Sequence, residues 1–137
     1  MDDLDREILS ILRRDARTPY TEIADAVDTS EGTVRNRVEQ LIDDGVIERF
    51  TVATHTGNVK AMIEIEVDVD VDTAAVSDRM AEWQQVDFVW MVGGEQDIVL
   101  VVDAPDTQGV NELITKAREL EEVVNTKTRL ILDEQLG

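Results

Sequence analysis

The chain contains no cysteine, which excludes disulfides, thiolate chemistry and cysteine-ligated zinc together. Histidine is nearly absent. His55 is the only one, so neither a histidine metal pair nor a histidine–carboxylate–nucleophile arrangement is available. Glycine-rich phosphate cradles are missing too, with no P-loop and no dinucleotide fingerprint. The longest uninterrupted aliphatic stretch, Ile98 to Val102, is far too short to span a bilayer. The opening "MDDLDREIL" is acidic where a signal peptide would be basic. These absences lead us to expect a cytoplasmic protein with no membrane segment, no metal, no cofactor and no enzymatic activity.

Positive charge is scarce as well. Lys and Arg number 13 against 31 acids, for a net charge of −18, and only Lys60, Lys116 and Lys127 are lysines. The first 57 residues carry 13 acids and 7 bases, net −6; the remainder carries 18 and 6, net −12. Such a surface repels itself in dilute buffer and is screened by concentrated salt. We expect a halophilic host, the alternative being an ordinary acidic cytoplasmic protein.

What is present is patterned. A length of 137 residues suits one ordinary domain or two small ones, and 42% hydrophobic content is enough for real cores. Leu4, Ile8, Ile11 and Leu12 follow helical spacing within 4–17. After Thr18-Pro19, a second stripe comprises Tyr20, Ile23, Ala24 and Val27; a third comprises Val34, Val38, Leu41 and Ile42, with Ser30 as N-cap and Gly45 as stop. "VIERFTVAT" then reads as a strand and "HTGN" as a turn or hinge. Ile63 to Val71 alternate with Glu64 to Asp72 at period two, a strand with one apolar face. Residues 73–85 return to helix. The apolar runs 88–92 and 98–102 read as strands around "GGEQD", Val110 to Leu120 as a helix capped by Asp106, and "NTKTRLILD" as a last strand. The predicted fold is α+β: a three-helix helix-turn-helix domain (1–45), a linker strand and hinge (46–58), and a ferredoxin-like β-α-β-β-α-β domain (59–137).

The third helix carries the chemistry of the first part. A helix-turn-helix lays its second helix in the DNA major groove and makes base contacts from that helix's N-terminal part. Asp28-Thr29-Ser30 can make the turn, because Asp tolerates left-handed backbone. Gly32 permits close approach, Asn36 can pair with adenine, and Arg35 and Arg37 can pair with guanine or phosphate, with Ser30 and Thr33 alongside. A plain three-helix bundle with a solvated face fits the same residues. Arg13, Arg14 and Arg17 stabilise the end of the first helix before they serve as phosphate contacts.

In the second part, "MVGGEQDIVLVV" places consecutive glycines and Asp97 at a strand end. Exposed amides there suit a carboxylate and Asp97 suits an ammonium, the makings of a zwitterion site; a two-glycine turn capped by Asp is the alternative. The carboxylate comb Glu64 to Asp72 spaces its groups by roughly 7 Å along one face, too far for an ion cage, so we expect a solvated face. Should that face meet a partner sheet, Lys127 and Arg129 are the neutralising residues.

"LDREILSILRRDART", "TEIADAV", Ser30-x-x-Thr33-Val34-x-x-Arg37-Val38-x-x-Leu41 and "DGVI" resemble the DNA-binding domain of Lrp/AsnC transcription regulators. The β-α-β-β-α-β remainder resembles their effector-sensing, dimerising RAM domain. Asp28-Thr29 stands where the family usually has glycine and an aliphatic residue. The resemblance implies a transcription regulator binding a pseudo-palindromic double-stranded operator as a homodimer, tetramer or octamer. It implies an amino-acid-like effector at Gly94, Asp97, Thr126 and Thr128, the first two mapping onto the family's Gly-x-x-Asp element. Two other readings stay open: a sensor or assembly module that does not bind DNA, and a tetrapyrrole (sirohaem-type) decarboxylase of the same two-domain build.

Overall fold

Asp2 and Asp5 start the first helix. In the computed structural model, which describes residues 1–94 and 97–137, Asp2 accepts the Asp5 amide and Asp5 accepts the Asp2 amide, closing a capping box on α1 (Asp3–Arg14). The helix ends at Arg14, short of the expected Arg17, because Asp15 turns its carboxylate onto the Arg17 amide at 2.9 Å and competes with helical bonding. Pro19 caps α2 (Tyr20–Ala26) from extended backbone. Asp28 then takes the left-handed conformation, φ 55°, and Thr29 N–H reaches back to Ala24 at 2.9 Å. Ser30 caps α3 (Glu31–Asp43) through the Thr33 amide, and Gly45 follows at φ 75°. Ile8, Leu12, Ile23, Ala24, Val34 and Val38 form one buried core beneath the three helices.

Residues 46–54 form no strand, contrary to the reading of "VIERFTVAT" as one. Ile47 packs on the helical core, while Phe50 and Val52 are exposed. Local pattern alone does not make a strand; its amides need a paired edge.

The chain divides into two units, Met1–Thr54 and His55–Gly137. The second holds β1 (Val59–Val67), α4 (Thr73–Ala81), β2 (Val86–Met91), β3 (Ile98–Ala104), α5 (Thr107–Arg118) and β4 (Val123–Leu130). The sheet is antiparallel in the order β2-β3-β1-β4, with β1 pairing β3 at Ile63↔Leu100 and β4 at Ile63↔Thr128. This is the split β-α-β arrangement. One sheet face, including Ala61, Ile63, Ile65, Ile98, Leu100 and Val102, is sealed by Val76, Met80, Val110, Leu113 and Ala117 of the two helices.

The long alternation overshoots β1. The strand stops at Val67, Asp68 N–H makes one further bond to Glu122 O at 2.8 Å, and Val69 beyond it is 94% exposed. The chain turns instead, with Val71 N–H on Asp68 O, and Asp72 becomes the N-cap of α4. That helix ends at Ala81 rather than at 85, where Gln85 takes φ 75°. Across "GGEQD", Val92 N–H donates to Asp97 O at 3.0 Å; the expected turn falls on Glu95 and Gln96, which lie outside the described residues.

Candidate nucleic-acid interface and effector site

Helix α3 is two-sided. Val34, Val38 and Leu41 are buried, and Gly32, Arg35, Asn36 and Glu39 share the opposite, exposed side at i, i+3, i+4 and i+7. Ser30 and Thr33 are tied to each other at the leading end, their hydroxyls 2.8 Å apart. Nothing lies within 4 Å of where a Gly32 Cβ would stand, so backbone approach there is open. Arg35 is ion-paired with Glu31 one turn earlier. Arg37 does not share this face. Its Nη1 donates to Asp2 Oδ2 at 2.6 Å and Asp5 Oδ1 at 3.2 Å, both on the first turn of α1. The Arg37 guanidinium, with help from the Asp5 amide, holds the Asp2 carboxyl down to about 2, and the two carboxylates raise Arg37 in return.

At the far end of the sheet unit, Asp97 and Thr126 flank the same stretch of β1. Ile98 and Thr126 both sit opposite Ile65, one on each side. Asp97 Oδ2 accepts from Val67 N at 3.0 Å, and Asp97 N donates to Ile65 O at 3.0 Å. The aspartate thus caps the neighbouring strand. Thr126 is buried and its hydroxyl accepts from Arg118 Nε at 3.0 Å. Thr128 lies a row further in, opposite Ile63, and is exposed. Gly94 is exposed at φ 112°, a backbone conformation that favours glycine. A β-bulge at Glu66/Val67 lies beside Thr126.

The face of the sheet away from the helices carries Phe88, Trp90, Val99, Val101 and Met62 beside Glu64 and Glu66. Phe88 and Trp90 are 54% and 47% exposed, with ring centroids 5.8 Å apart. Lys127 stands directly across from Glu64, and Arg129 across from Met62. Among the described residues, no three His, Asp or Glu side chains are grouped to hold a metal ion, and no helix is long and apolar enough to cross a membrane.

Residues 1–48 match the winged helix-turn-helix DNA-binding family, and residues 60–135 match the Lrp/AsnC ligand binding domain. The chain belongs to the Lrp/AsnC family. Like other Lrp/AsnC proteins, it is a DNA-binding transcription regulator that responds to an effector. It is 37% identical to the HTH-type transcriptional regulator LysM of Sulfurisphaera tokodaii over 96% of this chain and 95% of that one. The crystal structure of MtbAldR superposes with a TM-score of 0.87 at 29% identity, covering all of this chain and 95% of that one. E. coli AsnC superposes with a TM-score of 0.76 at 25% identity, again over all of this chain and 95% of the other.

Three features of this Lrp/AsnC chain were missed in its sequence. Asp2 and Asp5 hold Arg37, Arg118 holds Thr126, and the Val67 amide holds Asp97. A trace of the first was visible, since acidic residues three apart before an apolar stripe are what a capping box needs. The other two had no local signal.

Proposed function

We propose that the exposed edge of α3 enters the major groove, with Gly32 against the duplex, Arg35 and Asn36 reading base edges, and Ser30 and Thr33 at the leading end. The observation that carries this is the two-sidedness of α3: its apolar side is consumed by the core, and the side left open is small and hydrogen-bonding where a recognition helix must be. A homodimer, or a tetramer or octamer built from it, sets two such helices on a pseudo-palindromic operator, half-sites about one turn (~34 Å) apart or a multiple of it. The sheet face that carries Phe88 and Trp90, with Lys127 across from Glu64, supports pairing with a second copy. The effector is an amino acid or similar zwitterion at Gly94, Asp97, Thr126 and Thr128, its ammonium on Asp97 and its carboxylate on the glycine amides. The protein works in the cytoplasm of a salt-rich cell, and the role involves no catalytic step.

Competition binding against a duplex enriched from a randomised pool tests the readout. Arg35→Ala and Asn36→Ala each lower specific affinity by about 1–3 kcal/mol and lower non-specific affinity less. Equal losses on both duplexes would contradict base reading.

A further inference from the structure

Arg37 sits on the recognition helix, yet its charge is spent inside the protein. Each carboxylate of the α1 capping box uses one oxygen on a backbone amide: Asp2 Oδ1 accepts Asp5 N–H at 2.9 Å, and Asp5 Oδ2 accepts Asp2 N–H at 3.3 Å. The two oxygens left over, Asp2 Oδ2 and Asp5 Oδ1, both accept from the same Arg37 nitrogen. All four carboxylate oxygens are thereby engaged in one closed network. Two adjacent carboxylates repel each other, and the guanidinium between them offsets that repulsion while the positive end of α1 favours both. The Arg37 side chain is only 37% exposed, and Arg37 lies off the Gly32–Arg35–Asn36 side of α3.

We infer that Arg37 is a positioning residue: it pins the middle of α3 to the N-terminus of α1 and sets the angle at which the reading face meets DNA, without contacting the duplex itself. This rests on the DNA-reading role proposed for α3. A residue that touches phosphate contributes to the salt dependence of binding, about 0.9 in the slope of log K against log salt for each contact removed. A residue that positions the helix does not.

The test is a cycle on the full chain: Arg37→Ala, Asp2→Asn with Asp5→Asn, and all three together. Asparagine keeps capping ability while removing the charge. Binding is measured to a duplex enriched from a randomised pool by the wild-type chain, and to a mixed-sequence duplex, across a salt series; unfolding midpoints are measured without DNA. Expected are a tenfold or greater loss of the specific-to-non-specific ratio in each variant, an unchanged salt slope, and a triple variant no worse than Arg37→Ala in either binding or unfolding. A slope reduced by about 0.9 in Arg37→Ala, or affinity raised by the asparagine pair because it frees the arginine, would make Arg37 a phosphate contact and overturn the inference. Additive unfolding effects would also overturn it. If the wild-type chain selects no duplex, the DNA-reading role falls instead, and the unfolding cycle still decides whether the three side chains act as one unit.

Discussion

Asp97 is committed to the architecture of the sheet and is also the aspartate of the proposed effector site. Its backbone N–H and one carboxylate oxygen are committed to Ile65 and Val67 of β1, which fixes the end of the sheet where Thr126 also lies. The second oxygen is the one a ligand ammonium would take. Asp97→Ala therefore mixes two losses, because it also strips the Val67 amide of its acceptor, at a cost of about 1 kcal/mol or more. Asp97→Asn separates them. The amide oxygen still accepts from Val67, so the unfolding midpoint stays close to wild type, while the negative charge is gone. The fluorescence response of Trp83 and Trp90 to amino-acid titration is expected to disappear in this variant. A response of wild-type amplitude and midpoint would move the effector site elsewhere. Gly94 and Asp97 were paired through their resemblance to the family's Gly-x-x-Asp element; the bond from Asp97 to Val67, 30 residues away, had no signal in the sequence.

Among the elements, the helices were read more faithfully than the strands. The expected Ser30 and Asp106 caps each accept from the amide three residues on, an interaction contained in four consecutive residues; Asp72, read as part of a strand, caps α4 in the same way. Asp2 does the same for α1 and adds Arg37, which gives the helix a pH dependence. Its folded carboxyl lies near 2, below the ordinary value of about 3.9. A group depressed on folding contributes stability that is fully present above the unfolded value and is lost as pH falls through the folded one. The Met1 amine, Asp5, Arg37 and Asp44 share this part of the helical unit. Acid titration of wild type and Asp2→Asn is thus expected to show stability curves that converge between about pH 4 and pH 2; parallel curves across that window would mean the Asp2 bond is not formed in solution. Strands depend on partners. Residues 46–54 and Val69-Val71 were read as strand and form none, whereas Val59–Val67 has a paired edge on each side.

For the whole molecule, charge and assembly are the open variables. A net charge of −18 opposes a polyanion strongly in dilute buffer, where the Debye length is about 10 Å, and weakly at molar salt, where it shrinks to about 3 Å. With Arg35 beside Glu31 and Arg37 held by Asp2 and Asp5, α3 offers little unpaired cation to phosphate. Operator binding is expected to rise from dilute buffer toward high salt before any decline; monotonic loss from the lowest salt upward would remove the screening argument. Assembly is expected to use the sheet face bearing Phe88 and Trp90. Trp90→Glu places a carboxylate beside Glu64 and Glu66 on that face, and sedimentation should show the smallest species where wild type shows a larger one. Unchanged sedimentation would assign the interface to another surface.

The Ser30 and Asp106 caps and the helical stripes were determined by residues adjacent or nearly adjacent in the chain, where spacing alone places side chains on a face, and the acid excess by composition. Only the tertiary structure decided that Arg37 belongs to Asp2 and Asp5, that Thr126 belongs to Arg118, and that the stretch 46–54 makes no strand. The physical reason is the same in each case: a side chain or a strand edge takes whatever partner the folded path brings within hydrogen-bond reach, and sequence distance does not encode that path.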